Sequence, residues 1–276
     1  MPSRRTFLGG LGALTLGGWG SPARAARLET IGLQLYTLRR DLERDFDGTL
    51  AQVASVGFRE LETAGLFGRS AKDFRSSLER HGLVARSMHV DLPEIQPVFA
   101  KTLEAGTALG VRYIICAWLA PEERGGLDVY RRHAETFNRA GEEAKKAGIQ
   151  FGFHCHDFEF VPVEGTVPYD LILKETDAAL VQMEMDLYWI TRAGVDPLRY
   201  FRQYPGRFPL VHVKDMDATP QHSFTEVGKG IVDFRRVFAQ AKLGGIRHYF
   251  IEQDETPGPA IESARQSYEY LKKLDF

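Results

Sequence analysis

Four short apolar runs in this sequence each close on a residue able to bind a metal. They are Phe151-Gly152-Phe153-His154-Cys155-His156, Met183-Glu184-Met185-Asp186, Leu210-Val211-His212-Val213-Lys214 and Tyr249-Phe250-Ile251-Glu252. Each is brief, rich in large apolar side chains and flanked by helix-like sequence, the pattern of a strand buried on both faces of a parallel sheet. One imidazole or carboxylate at the end of a buried strand is ordinary. Four in succession, all at the carboxyl end, predict side chains converging on one point. His154, Asp186, His212 and Glu252 make a mixed nitrogen and oxygen donor set, suited to a divalent ion such as manganese, zinc or cobalt. His212 stands two residues before Lys214, so both point to one face of their strand. A lysine buried without a partner is costly, so that face is expected to open on a polar cavity. There Lys214 is placed to hold an oxyanion or an anionic substrate group. Asp186 has a competing structural role, as cap of the helix that follows it.

A repeating scaffold must bring these ends together. Apolar runs at 31–36, 58–61, 85–90, 113–117, 150–156, 181–186, 210–214 and 248–252 predict eight strands. Helical periodicity separates them. Leu50, Val53 and Ala54 lie three or four apart before Gly57, and Phe74 and Leu78 share a face before Gly82. Stretches 97–109 and 130–147 end likewise at Gly110 and Gly148. A glycine that closes a helix just before an apolar run is the helix-to-strand junction of a βα repeat. No Gly-x-Gly-x-x-Gly follows the first strand, so a dinucleotide crevice has no support. The pattern predicts a single (β/α)8 barrel, whose catalytic residues sit at the carboxyl ends of the strands. The long glycine-bearing loop 217–230 is expected to form a rim or lid.

Composition agrees with one globular barrel: 276 residues, 43% hydrophobic, 26% charged, with a net charge of −2. No basic patch argues for nucleic acid. Two cysteines cannot build a disulfide framework, and Cys116 and Cys155 are expected to be unpaired and buried. Ser3-Arg4-Arg5-Thr6-Phe7-Leu8 resembles the twin-arginine export motif, with Gly9 where that motif has Lys. A glycine-rich apolar stretch and Ala23-Arg24-Ala25 follow, the order of a signal peptide with its cleavage site. Residues 1–26 therefore read as a leader and 27–276 as the barrel, with a periplasmic location expected. The apolar stretch is too short and too rich in glycine to serve as a membrane anchor.

Asp186 lies in Met-Asp-Leu-Tyr-Trp-Ile-Thr-Arg-Ala-Gly-Val-Asp-Pro; His212-Val213-Lys214-Asp215 and Glu252 follow. Together they resemble the xylose-isomerase-like TIM-barrel superfamily of sugar phosphate isomerases and epimerases, from about Ile31 to the end of the chain. Gly-Phe-His-Cys-His-Asp-Phe-Glu-Phe, ending at Phe160, is similar to the Tyr-His-Asn-His-Asp-Phe-Glu-Phe signature of an exported branch. The resemblance implies a divalent-metal enzyme acting on a small sugar or sugar derivative. The family's metal set is Glu, Asp, His and Glu, and its last three members map onto Asp186, His212 and Glu252. Strand five departs from that pattern. His154 stands where the usual Glu would be, while His156 shares its face and Glu159 follows, so each of the three is a candidate ligand. The resemblance also implies catalytic roles for Glu252, Lys214, His156, His89 and Glu62, and substrate-binding roles for Trp118, Trp189 and Glu159. The expected reaction is isomerisation or epimerisation, by proton abstraction beside a carbonyl. A lyase or hydrolase of keto-glycosides acting through the same enediolate is the first alternative. A non-catalytic sugar-binding barrel is the second. Phosphoester hydrolysis, known for endonucleases of this fold, would call for a His three residues after Asp186, where Trp189 stands.

Overall fold

Eight parallel strands pair side by side and close on themselves in this computed structural model, which describes residues 26–276. They are β1 (Gly32–Gln34), β2 (Glu60–Ala64), β3 (Val84–Val90), β4 (Tyr113–Cys116), β5 (Gln150–His154), β6 (Val181–Asp186), β7 (Leu210–Val213) and β10 (His248–Ile251). Between the last two lies a small antiparallel ribbon of β8 (Asp215–Met216) and β9 (Phe224–Thr225). The ring closes where β10 pairs with both β7 and β1. The fold is thus a single (β/α)8 barrel, as the sequence predicts. Apart from Ala26, the predicted leader lies outside the described residues. Among the described residues no helix is long and apolar enough to cross a membrane.

Helices Phe46–Val56, Ala71–Arg80, Phe99–Leu109 and Leu127–Lys146 follow the predicted periodicity. Two start on side-chain caps: Asp45 accepts from the Gly48 amide and Ser70 from the Asp73 amide. Strand ends differ from expectation by more than one residue in three strands. β1 stops at Gln34, because the Gln34 side chain accepts from the Tyr36 amide and starts a 3-10 turn over Leu35–Leu38. β2 begins later and runs on to Ala64, with a shift of register against β3 between Leu61 and Glu62, where β3 carries one extra residue, Arg86. β5 stops at His154, leaving Cys155 and His156 in the loop beyond it.

Large side chains such as Phe58, Phe74, Phe137, Phe151 and Phe153 fill the layer between strands and helices, each stabilising the fold by about 1.5–3 kcal/mol. Inside the ring, Tyr113, Ile115, Leu210 and Phe250 form a separate apolar plug below the mouth. Two glycines make room for it. A Cβ on Gly152 would sit 2.6 Å from Ile115 Cδ1, and one on Gly32 would overlap the Phe250 ring. The plug is the floor on which the polar residues of the mouth rest. Both cysteines are free and buried.

Candidate active site

Polar side chains above the plug stand in layers. His154, on β5, and His212, on β7, form the middle layer, their ring centroids 4.4 Å apart. Each imidazole turns one nitrogen up and one down. Upward, His154 Nε2 lies 3.6 Å from Asp186 Oδ2, and His212 Nδ1 lies 2.7 Å from Glu252 Oε2 and 3.8 Å from Asp186 Oδ2. Downward, His154 Nδ1 lies 3.0 Å from Glu184 Oε2, while His212 Nε2 lies 2.6 Å from Glu62 Oε2 and 3.2 Å from Glu184 Oε2. His89, on β3, completes the lower layer, its Nε2 2.7 Å from Glu184 and 3.1 Å from Glu62. In-register pairing of Glu184 with His154, and of Asp186 with His212, sets these distances across the sheet.

The upper atoms are those predicted to bind metal. Those of Asp186, His212 and Glu252 lie within 4.8 Å of one another, as do those of His89, His154, Glu184 and His212 below. Such spacing lets one ion touch every donor of a group. The donors also need a cation: Glu62, Glu184, Asp186 and Glu252 are all buried, and the one ammonium among them is that of Lys214. Glu62 Oε1 and Glu184 Oε1 are buried with no hydrogen-bond partner. A ligating histidine commonly gives its second nitrogen to a carboxylate that fixes the ring. The lower layer supplies that arrangement for both histidines. The residues therefore fit a divalent ion, held by Asp186 Oδ2, His212 Nδ1 and Glu252 Oε2; His154 belongs to the lower group, with its Nε2 3.6 Å from Asp186 Oδ2. The other oxygen of Asp186 accepts from the Tyr188 and Trp189 amides, so Asp186 is cap and candidate ligand at once.

Protonation within the cluster is strongly biased. Burial alone would discharge His89, but Glu62 and Glu184 outweigh it and lift its pKa to about 10. His212 is likewise raised against burial, by Glu184 and Glu252. His154 is pushed well down, by burial and then by His212. The two lower carboxylates part company. Burial and the Glu62 charge lift Glu184 to about 7, whereas His89 and His212 overcome burial and hold Glu62 below the usual carboxylate range.

Above the upper layer a cavity of about 480 Å³ opens to solvent. His89, His154, His156, Lys214, Glu252 and Asp254 form its inner wall, with Tyr36 and Trp118 at the rim. Those two rings are 42% and 40% exposed. Each is braced by a guanidinium, Arg39 4.0 Å from the Tyr36 ring and Arg124 5.2 Å from that of Trp118. Of the predicted site residues, His89, Trp118, His154, His156, Lys214 and Glu252 border this cavity. Glu62 and Asp186 lie just beneath it. Trp189 and Glu159 stand behind its wall: Trp189 packs on the His156 ring at 5.2 Å, and the buried Glu159 accepts from the His156 amide at 2.8 Å. Burial lifts the Glu159 carboxyl to about 8, as befits a clamp on the loop. The Lys214 ammonium lies 3.1, 2.7 and 2.8 Å from Asp186, Glu252 and Asp254, so its charge is paired within the cavity wall. The loop 217–230 forms a rim, one of the two roles expected of it. Tyr188 donates to the His222 carbonyl at 2.6 Å and stacks on Phe224.

Sequence reasoning missed Glu184, Gln34, Asp254 and Tyr36. Glu184 carried a usable signal, since it stands two residues before Asp186 and so shares its face. Gln34 donates to Glu62 Oε2 at 2.9 Å, a contact set by pairing across β1 and β2 and invisible along the chain.

The site has relatives. An inosose dehydratase of Lacticaseibacillus casei is 23% identical over 268 residues, covering 83% of this chain and 89% of its own. A sugar phosphate isomerase/epimerase from Parabacteroides distasonis ATCC 8503 is 29% identical in solved structure, with a TM-score of 0.77 over 91% of this chain and 96% of that one. The IOLI protein, solved with a bound zinc atom, shares the fold at 15% identity and a TM-score of 0.68, over 90% and 99% of the two chains. The family model for the xylose isomerase-like TIM barrel matches residues 50–274. With that match over most of its length, the chain belongs to the xylose isomerase-like TIM barrel family.

Proposed function

We propose that this protein is a divalent-metal sugar isomerase or epimerase that moves a proton at the carbon beside a carbonyl. The observation that carries this reading is the layered cluster: two imidazoles with carboxylates on both sides, opening upward into a cavity with two exposed rings. A divalent ion bound there would supply Lewis acidity, making a C–H next to a carbonyl easier to ionise. Asp186, His212 and Glu252 would hold it, and Glu62 and Glu184 keep the His212 imidazole turned toward it. His89 borders the cavity while its Nε2 rests on Glu184 and Glu62. A proton moving through His89 is therefore buffered by two buried carboxylates, which suits a general acid and base. Glu252 borders the same space and is the second proton-moving candidate. Trp118 and Tyr36 offer apolar faces to the C–H side of a sugar ring.

A lyase outcome is favoured by one observation. His154 stands where the family has a carboxylate, so Glu252 is the one carboxylate of the ligand set that borders the cavity. Loss of a β-substituent needs a single base, and likeness to an inosose dehydratase agrees. The test is NMR in D2O with manganese-loaded protein and a panel of ketoses and keto-glycosides. Deuterium appearing next to the carbonyl of an otherwise intact sugar supports the isomerase or epimerase. Release of the β-substituent supports the lyase. Neither exchange nor turnover would contradict both and leave a non-catalytic sugar-binding barrel. We also propose export by the twin-arginine route to the periplasm, on the strength of the leader sequence.

A further inference from the structure

We propose that the site takes an uncharged sugar or glycoside and discriminates against phosphorylated ones; this inference rests on the sugar reading above. Charge at the cavity carries it. Asp91, Glu94, Glu252 and Asp254 line the space, against Lys214 and His89, and the His89 imidazole is already paired with Glu62 and Glu184 beneath the cavity. The Lys214 ammonium lies 2.7 to 3.1 Å from three carboxylates, so its charge is already balanced within the wall. Among the described residues no arginine lines the cavity. The two nearest the rim are engaged elsewhere. Arg39 donates to the Tyr36 and Asp254 carbonyls, both at 2.9 Å, and pairs with Glu255 at 3.1 Å. Arg124 donates to the Leu119 carbonyl at 2.8 Å and lies flat on Phe158, 3.4 Å from its ring centre.

The backbone agrees with the side chains. Barrels that bind phosphate often do so with amides of the loops after the last two strands of the ring. Here four amides of that region converge on a carboxylate of the chain itself. Asp215 accepts from Met216 at 2.8 Å, Gly228 at 2.9 Å, Gly230 at 3.0 Å and Val232 at 3.1 Å. The fit is close, since a Cβ on Gly230 would overlap Asp215 Oδ1 and the Met216 carbonyl. Those amides already hold an anion and have none to offer a phosphate. A phosphate on the outer end of a bound sugar would instead meet Asp91 and Glu94, both exposed at the rim. A neutral hydroxyl can donate to either of them.

The experiment measures binding to the manganese-loaded full-length mature protein by quenching of tryptophan fluorescence. Glucose, xylose and myo-inositol are each compared with their monophosphate, and inorganic phosphate is the control for ion binding. Each neutral sugar is expected to bind about tenfold or more tightly than its phosphate, the like-charge penalty of the rim. Added salt should strengthen phosphate binding and leave the neutral sugar unchanged, because screening relieves repulsion. The double variant Asp91→Asn, Glu94→Gln should bring each pair to near parity. A phosphate that binds as tightly as its neutral partner, or that weakens with salt, overturns this inference and leaves the sugar reading standing. Failure of all six sugars to bind overturns both.

Discussion

Glu184 is the residue through which the two candidate histidine ligands are held. Its Oε2 lies 2.7 Å from His89, 3.0 Å from His154 and 3.2 Å from His212. Glu184→Gln keeps the shape and removes the charge. It should lower metal affinity by about 10–100-fold, the usual effect of losing a carboxylate behind a histidine ligand. Manganese titration by calorimetry measures this, and unchanged affinity would mean the lower layer does not support the ligands. His89 gives a second residue-scale outcome, in the metal-free protein. Its folded pKa of about 10 exceeds the ordinary 6.5, so the folded state binds the proton more tightly than the unfolded one. The stability it contributes is complete below pH 6.5 and disappears as pH rises through about 10. The gap in melting temperature between wild type and His89→Gln should therefore shrink over that range. A gap that stays constant would contradict the ion pairing drawn here. Ligand types at strand ends are readable in a sequence, because period two places them on one face. Partners such as Gln34 for Glu62 come from neighbouring strands, and a single sequence carries no trace of them.

At the scale of elements, the glycines inside the ring decide whether the plug fits. Gly152→Ala would place a methyl 2.6 Å from Ile115 Cδ1, an overpacking that costs about 1–3 kcal/mol. Adding Ile115→Val removes that Cδ1 and should recover part of the loss, a coupling that denaturant melts of the two single variants and the double variant report. Simple additivity would contradict the packing described. Asp215 plays the same part for the ribbon. Asp215→Ala leaves four amides without their acceptor, and each lost bond to a charged group weakens the fold by about 1.5–3 kcal/mol. Faster hydrogen exchange at Gly228, Gly230 and Val232 is expected, and unchanged exchange would contradict it. The eight strands were legible as apolar runs, because a strand covered on both faces has no polar alternation to confuse it. Their ends were less so: β2 runs on through Glu62 because it pairs there with Gln34 of β1 and Ser87 of β3, a property of several strands that none shows alone. The glycines of loop 217–230 suggested a rim or lid, and Gly228 and Gly230 bring their amides onto Asp215.

At the scale of the molecule, the leader and the metal centre make separable claims. Arg4→Lys with Arg5→Lys should hold the precursor in the cytoplasm, as fractionation would show, and normal export would contradict the twin-arginine route. The barrel unites donors that lie as far apart in the chain as Asp186 and Glu252, and the metal centre requires them to meet at one ion. Metal analysis of the purified mature protein, beside an Asp186→Ala, His212→Ala double variant, tests this most directly. About one manganese, zinc or cobalt ion per chain, lost in the variant, is the predicted result. A folded wild type that holds no metal after incubation with these ions would contradict it.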